Sequence, residues 1–491
     1  MTASSQSAPL HHPDHLFIDG VWTAPCGTNK IDVFNSGTEE LFVSVPEAQE
    51  ADINRAVAAA RVAFDHGPWP RLSPAERAKY LRAIAREMQA RGDDLAQIWT
   101  TESGVIHSVA KARSPSLAGV FSYYADLADT YPFVEERKPG SGNVGLLVRE
   151  PVGVVAAIIP WNGPSINIAW KIAPALLTGC TVVLKPAPEA PAAAYVFAEI
   201  CEKIGLPAGV VNVLTADRDV SELLVRHPDV DKVSFTGSTA AGRRIGSICG
   251  ERVARCTLEL GGKSAAIILD DYDVGTAAET ISRMAGFLTG QVCSSLTRIV
   301  VTRKRHDALL DALSTSFGAL KVGDPFDPAT QMGPLAMSRQ RERVEHYIER
   351  GKAEGATLAT GGGRPKHLGR GFYIEPTVFG NVDNHSTVAR EEIFGPVLTV
   401  IPADNEANAL DIANDTIYGL NASVFTNDVD RAYAVARRLR SGTVGHNSFR
   451  TDFSIAFGGF KQSGIGREGG TEGLLPFLET KTVILDAMPA L

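Results

Sequence analysis

Cysteine is scarce in this chain: six among 491 residues, at positions 26, 180, 201, 249, 256 and 293. No two stand as a Cys-x-x-Cys pair and none keeps a zinc-type spacing with histidine. Neither a disulfide framework nor a metal site is therefore expected. Sparse, unpaired cysteine fits a reducing compartment, and a cytoplasmic location is the expectation. A basic excess is also missing. The net charge is -8, with lysine and arginine scattered, which argues against a nucleic-acid partner. The one dense run, Arg303-Lys304-Arg305, reads as a solvated turn. Long apolar stretches are absent too. The longest, Val152 to Trp161, is too short for a bilayer, so no membrane partner is expected. The N-terminal residues show neither a basic start nor an apolar stretch, and no signal peptide is read there. His11, His12 and His15 fall in this polar tail, which reads as disordered. No internal repeat or low-complexity linker interrupts the chain, and Gly361-Gly362-Gly363 reads as a surface turn.

What is present points to an α/β protein of two or three domains, with ample apolar content for a large core. Leu16 to Trp22 reads as a hairpin turning on Asp19-Gly20. Ser73-Pro74-Ala75-Glu76 is a capping box with proline at the first helical position. Leu81, Ile84, Met88, Leu95 and Ile98 continue it as an apolar stripe broken near Gly92. From residue 150 the pattern changes. Val152–Pro160, Thr181–Pro186, Val210–Leu214 and Lys232–Gly237 are short apolar runs separated by plausible helices, one of which stops at Gly179. Such alternation implies a parallel sheet covered on both faces. Ligands in such sheets bind at the carboxyl ends of the strands. That rule singles out Pro160-Trp161-Asn162, Lys185-Pro186 and Thr236-Gly237-Ser238. A second strand–helix region runs from about Gly261 to Val444, with strands expected at Ala265–Leu269, Arg298–Val301 and Pro396–Ile401.

Taken singly, the chemical motifs are weak. Phe235-Thr236-Gly237-Ser238-Thr239 with Gly242 suits a strand-to-helix turn whose free N–H groups could face a pyrophosphate. It lacks the spacing of the usual dinucleotide fingerprint, and a Gly-Ser turn is more often a plain N-cap. Gly261-Gly262-Lys263-Ser264 is not a P-loop, because Thr257 stands where the motif's first glycine belongs. Cys293, in Gly290-Gln291-Val292-Cys293-Ser294-Ser295, has small neighbours that leave room around a nucleophilic sulfur. A lone cysteine is otherwise usually a small buried hydrophobe. Glu259 lies in an apolar strand before a Gly-Gly turn, where burial would be costly unless it is paired or protonated. Its plainer reading is a strand-end residue facing water. Asn162 is either a turn former or an amide donor to an oxyanion.

In order, the pieces Pro160-Trp161-Asn162, Lys185-Pro186-Ala187, Phe235-Thr236-Gly237-Ser238, Leu258-Glu259-Leu260-Gly261-Gly262-Lys263, Gly290-Gln291-Val292-Cys293, Glu391-Glu392-Ile393-Phe394-Gly395-Pro396, Asn414 to Leu420 and Phe457 to Gly464 closely resemble the aldehyde dehydrogenase superfamily, from about Leu16 to Val483. The resemblance implies NAD(P)-dependent oxidation of a small-molecule aldehyde to a carboxylic acid. It implies Cys293 as nucleophile and Glu259 as general base. Asn162 and the Cys293 backbone N–H would form the oxyanion hole. Pro160, Trp161, Lys185, Gly237, Ser238, Leu260, Glu392 and Phe394 would hold the dinucleotide. Lys171 and Glu468 match positions linked to proton transfer near the base. The implied fold is a Rossmann-like dinucleotide-binding domain (1–130 and 150–260), an α/β catalytic domain (261–448), a return segment (449–476), and a β arm with a C-terminal strand (131–149 and 477–491) for assembly as a homodimer or homotetramer. Glu259 favours hydrolysis of the acyl intermediate over transfer to coenzyme A. A semialdehyde dehydrogenase of the same chemistry stays open, as does a Cys-dependent thioesterase or amidase without redox.

Three positions depart from the resemblance. Pro188 replaces a glutamate that many NAD-preferring members place on the adenosine ribose, which leaves NADP possible. Thr215-Ala216-Asp217-Arg218 replaces a glycine-rich turn: Arg218 would favour NADP and Asp217 NAD, with NAD the expectation. Gly163 replaces an aromatic residue of the substrate funnel, so a wider funnel and a bulky or aromatic aldehyde are expected. Ser448 to Ala456 would form the funnel mouth, with Phe457 as a wall.

Overall fold

The computed structural model describes residues 7–452 and 454–489. The first six residues of the tail, Phe453 of the expected funnel mouth and the last two residues lie outside the described residues. The expected hairpin forms, with Leu16–Ile18 antiparallel to Val21–Thr23. Asp19 and Gly20 both take positive φ, 54° and 75°, the pairing that a tight two-residue turn between twisted strands demands. The capping box closes as read: Ser73 Oγ accepts from the Glu76 N–H, and the Glu76 carboxylate accepts from the Ser73 N–H. The stripe divides into helices Pro74–Ala90 and Gly92–Ser103 at the anticipated break.

The hairpin joins an eight-stranded sheet. Its order is Gly464–Ile465, Arg255–Glu259, Lys232–Thr236, Val154–Ile158, Thr181–Lys185, Val211–Val213, Leu16–Ile18, Val21–Thr23. The five central strands run parallel and the two ends are antiparallel. Side chains of a strand alternate between faces, and here both faces are dry. Val155 and Ala157 pack with helices Pro164–Thr178 and Ala192–Lys203. Val154, Ala156 and Ile158 pack with Glu50–Asp65, Arg218–Arg226 and Thr239–Glu251. Burial on both faces is why these strands read as unbroken apolar runs.

A second, seven-stranded sheet has the order Thr357–Thr360, Thr377–Gly380, Val397–Ala403, Leu296–Thr302, Ser264–Ile268, Asn421–Phe425, Thr443–His446. Only its Thr357–Thr360 edge is antiparallel. The arm is a three-stranded antiparallel sheet in which Val144–Pro151 lies between Val134–Arg137 and Leu478–Leu485. Residues 449–476 lead back to the first sheet. Gly464 and Ile465 pair with Glu259 and Leu258, and Phe457 bridges Glu468.

The tail corrects an expectation. From residue 7 onward it packs on the first sheet's helices. The His11 N–H donates to Glu199 at 2.7 Å, Arg91 donates to the Pro9 carbonyl at 2.9 Å, and the His12 ring stacks on Trp22 at 4.7 Å. Glu199 and Arg91 lie on elements remote in sequence, so no local pattern could announce this docking.

Candidate active site

One cleft of about 1250 Å³ runs along the carboxyl ends of the first sheet's strands and reaches loops of the second. Pro160, Trp161, Asn162, Lys185, Gly237, Ser238, Glu259, Leu260, Cys293, Glu392, Phe394 and Glu468 all line it. Lys171 does not line it and sits behind Glu468. Thus the predicted residues are brought together at one place, with Lys171 a layer deeper.

Cys293 follows a strained approach. Leu288, Thr289 and Gly290 have φ of 48°, 54° and 70°, a left-handed run costing roughly 1–2 kcal/mol per non-glycine residue. Gly290 has no alternative, since a Cβ there would lie 2.3 Å from the Gly395 oxygen. Neighbouring groups hold the run in place. Thr289 Oγ1 donates to Gly333 O at 2.9 Å. The Gln291 side chain donates to Leu288 O at 3.0 Å and Ser103 O at 3.3 Å, and accepts from Ala336 N–H at 2.9 Å. The Cys293 side chain is half-buried, open to the cleft. Burial pushes its thiol up to about 12, and the Glu392 and Glu259 carboxylates add to this. The resting group is therefore the thiol, and reaction requires its activation.

Asn162 Nδ2 donates to Gln291 O at 2.9 Å, and Asn162 O accepts from Trp99 Nε1 at 2.8 Å. The amide is thereby fixed beside the Cys293 loop. Its nitrogen carries two protons, so one remains for a ligand oxygen.

Glu259 ends strand Arg255–Glu259 and is 3% exposed, with neither carboxylate oxygen hydrogen-bonded. Burial first, and the Glu468 carboxylate second, hold its carboxyl well above the usual range, against Lys171 and Arg467. Gly458 makes its room: a Cβ there would stand 2.6 Å from Glu259 Oε1. The fully buried Lys171 Nζ donates to Glu468 Oε1 and lies 3.5 Å from Ser234 Oγ. Glu468 Oε2 has no partner. Glu259 and Glu468 thus meet at the cleft wall with the Lys171 ammonium behind Glu468, each close enough to bear on the ionisation of Glu259.

The other half of the cleft fits a dinucleotide. Ser238 caps helix Thr239–Glu251, its Oγ accepting from Ala241 N–H at 3.2 Å. The helix opens onto the cleft with its remaining N–H groups and positive dipole end. Gly237 keeps the turn tight, since a Cβ would sit 2.4 Å from the Phe235 ring. Leu260 packs over Gly242 so closely that a Cβ there would be 2.3 Å from Leu260 Cδ2. Lys185 ends its strand; burial lowers its ammonium to about 8, while Glu189 and Asp217 oppose the shift. Glu392 Oε1 accepts from Gly262 N–H at 3.1 Å, and burial raises its carboxyl to about 7. Its Oε2 lies where a Cβ on Gly261 would come within 2.3 Å. Phe394 takes φ 64° and meets Trp161 edge to face at 5.3 Å.

Several contributors escaped the sequence. Gln291, Trp99 and Ser103, whose Oγ donates to Trp161 O at 2.7 Å, set the backbone of both reactive loops through contacts far apart in the chain. Glu189 stands one residue past Pro188, so this stretch does carry a carboxylate, one position beyond the one the resemblance names. Among the described residues no group of three or more His, Cys, Asp or Glu is placed to hold a metal ion, and no helix is long and apolar enough to cross a membrane.

A doubly wound sheet with a helix-terminus phosphate cradle, joined by one cleft to a cysteine, an amide and a buried carboxyl, defines a dinucleotide-dependent enzyme of covalent type. The chain belongs to the aldehyde dehydrogenase family, whose sequence model matches residues 22–483. It is 44% identical over 472 residues to a geranial dehydrogenase of Castellaniella defragrans, covering 96% of this chain and 98% of that one. A Mycobacterium tuberculosis aldehyde dehydrogenase in complex with NAD+ superposes with a TM-score of 0.94 at 46% identity, over 96% of this chain and 98% of that. A cysteine-to-alanine mutant of Pseudomonas syringae aldehyde dehydrogenase C, with NAD+ and octanal, does so with 0.94 at 40% identity, over 99% of this chain and 100% of that.

Proposed function

We propose that this chain oxidises an aldehyde to its carboxylic acid on Cys293, with NAD as the acceptor. The observation that carries this reading is the convergence of Cys293, Asn162 and Glu259 on one cleft that also presents the Ser238 helix terminus, Lys185 and Glu392. The Cys293 sulfur, once deprotonated, adds to the aldehyde carbon and makes it tetrahedral. The developing oxyanion takes hydrogen bonds from the free Asn162 amide proton and the Cys293 backbone N–H, a contribution worth roughly 10²–10³ in rate per donor in other enzymes. Bound in the cleft, a nicotinamide dinucleotide would accept the hydride that leaves this carbon. The remaining thioester is attacked by water, whose proton Glu259 takes, with Lys171 and Glu468 carrying it onward. Lys185 would hold the adenosine ribose, Ser238 with Gly237 the pyrophosphate, and Glu392 the ribose nearer the nicotinamide. Phe394, Trp161, Pro160 and Leu260 would form the walls.

Glu189 and Asp217, both close enough to Lys185 to oppose its shift, support NAD over NADP, because a 2′-phosphate would meet Asp217 and the Glu189 that Arg339 pairs. Replacing both by alanine is expected to raise the NADP-to-NAD ratio of kcat/KM about 10-fold, equal to about 1.4 kcal/mol. An unchanged ratio would assign the preference elsewhere. The rival hydrolase reading predicts acid release without NADH, so NADH absorbance with an aldehyde separates the two.

Gly163 supports a wide funnel. Burying an aryl group there is worth roughly 1.5–3 kcal/mol. The expected kcat/KM for benzaldehyde therefore exceeds that for acetaldehyde at least about 10-fold, and a preference for acetaldehyde would remove the idea. We assign the domains at the sequence boundaries given above. The arm around Val144–Pro151 and Leu478–Leu485 would serve assembly into a homodimer or homotetramer. Sparse cysteine supports a cytoplasmic location.

A further inference from the structure

Helix His107–Leu127 forms one wall of the cleft's substrate side, through Ala110, Arg113, Ser114 and Leu117. Opposite stand Phe287, Val292, Ile166 and Trp170. Among the described lining residues outside the dinucleotide side, Arg113 is the only lysine or arginine, with the carboxyl groups of Glu259 and Glu468 at the Cys293 end. Its guanidinium lies 4.4 Å from the centroid of the Phe287 ring. Phe287 meets Trp99 edge to face at 6.5 Å, and the Trp99 N–H holds the Asn162 carbonyl. Two rings therefore connect the cation to the group expected to bind the oxyanion.

Some cleft arginines are already engaged, while Arg218 and Arg243 on the dinucleotide side form no ion pair with a described carboxylate. Arg244 is paired with Glu222, Arg339 with Glu189, and Arg343 donates to the Glu392 carbonyl. Arg113 forms no ion pair with any described carboxylate, although Glu279 lines the neighbouring shallow cavity with it. Burial alone shifts its ionisation, downward. A guanidinium held on an aromatic face at the cleft wall presents its donor fork to whatever enters. A carboxylate satisfies that fork in two parallel bonds.

We infer that Arg113 selects aldehydes carrying a carboxylate at the end remote from the carbonyl, so that the carbonyl meets Cys293 while the anion rests on the guanidinium over Phe287. This rests on the reading of Cys293 as the reacting group and narrows its substrate class. The acid would pass Phe287 on the way in, and the product would be a dicarboxylate.

The test uses the full chain with NAD. Straight-chain ω-carboxy aldehydes of several lengths and 4-carboxybenzaldehyde are compared with their methyl esters. The expected result is at least one length at which kcat/KM favours the acid about 10-fold or more over its ester. The preference is expected to lie mainly in KM and to weaken at high ionic strength. Arg113→Gln should bring the acid-to-ester ratio near one, Arg113→Lys should keep part of it, and Arg113→Glu should reverse it. Esters oxidised as well as acids at every length, or a preference that survives in Arg113→Gln, would overturn the inference and leave Arg113 a cover for the Phe287 ring. No NADH from any acid or any ester would overturn it together with the reading of Cys293.

Discussion

Cys293→Ala is expected to lower turnover of every aldehyde by at least about 10⁴-fold while leaving dinucleotide affinity within a few-fold of the parent. The first half follows because the carbonyl has no leaving group, and without a covalent adduct nothing makes its carbon tetrahedral. No other sulfur can substitute. Cys180, Cys201 and Cys249 are buried, and Cys26 and Cys256 are not part of the cleft. The second half follows from distribution. Ser238, Lys185 and Glu392 are held by their own strand ends, cap and backbone contacts, none of which involves the Cys293 sulfur. The sulfur is also half-buried at the loop surface, so its removal leaves little cavity. Steady-state NADH formation and calorimetric titration with NAD measure the two quantities. Activity above about one per cent of the parent would show that another group supplies the nucleophile.

Glu259→Gln separates the two halves of the reaction. The amide has nearly the same shape but cannot take a proton from water. Acylation should proceed once and hydrolysis should stall, with an expected loss of roughly 10²–10⁴-fold in steady-state rate. The signature is a burst of one NADH per site and a mass increase on the peptide containing Cys293. The pH dependence gives a second reading. Burial and Glu468 hold the Glu259 carboxyl well above the usual range, so at low pH it is the neutral acid and cannot act as base. The hydrolytic rate of the parent should rise with pH through this raised value and level off above it. In Glu259→Gln that rise should vanish. A variant that keeps both the parent's turnover and its pH profile would remove Glu259 from the hydrolytic step. Folding should survive, because the replaced carboxyl has no hydrogen-bond partner to lose.

Much of the architecture was legible locally. The apolar runs at Val154–Ile158 and Thr181–Lys185, the Ser73 capping box, the Asp19-Gly20 turn and the Gly179 stop each answer to interactions within a few residues. Such signals survive in sequence because period, caps and turn chemistry are nearest-neighbour properties. The rule that ligands gather at strand carboxyl ends places Asn162, Lys185 and Ser238 on one edge from the sequence alone. The docked tail was misread for the complementary reason. His11 and His12 are polar in composition, but their partners Glu199 and Trp22 come from other elements. Composition reports on burial only when the residue itself is apolar.

By itself, the order of residues determined the fold class and the family, and named Cys293, Asn162 and Glu259 as the candidates for nucleophile, amide donor and base. Tertiary structure alone decided their condition. It set the buried pairing of Lys171 with Glu468 across 297 positions, the pinning of Asn162 by Gln291 and Trp99, the raised carboxyl of the buried Glu259, and the uncompensated Arg113 over Phe287. The reason is physical. Ionisation, strain and unmet hydrogen bonds depend on the field and packing of every neighbour within a few ångströms, and those neighbours here come from segments that chain order does not place side by side.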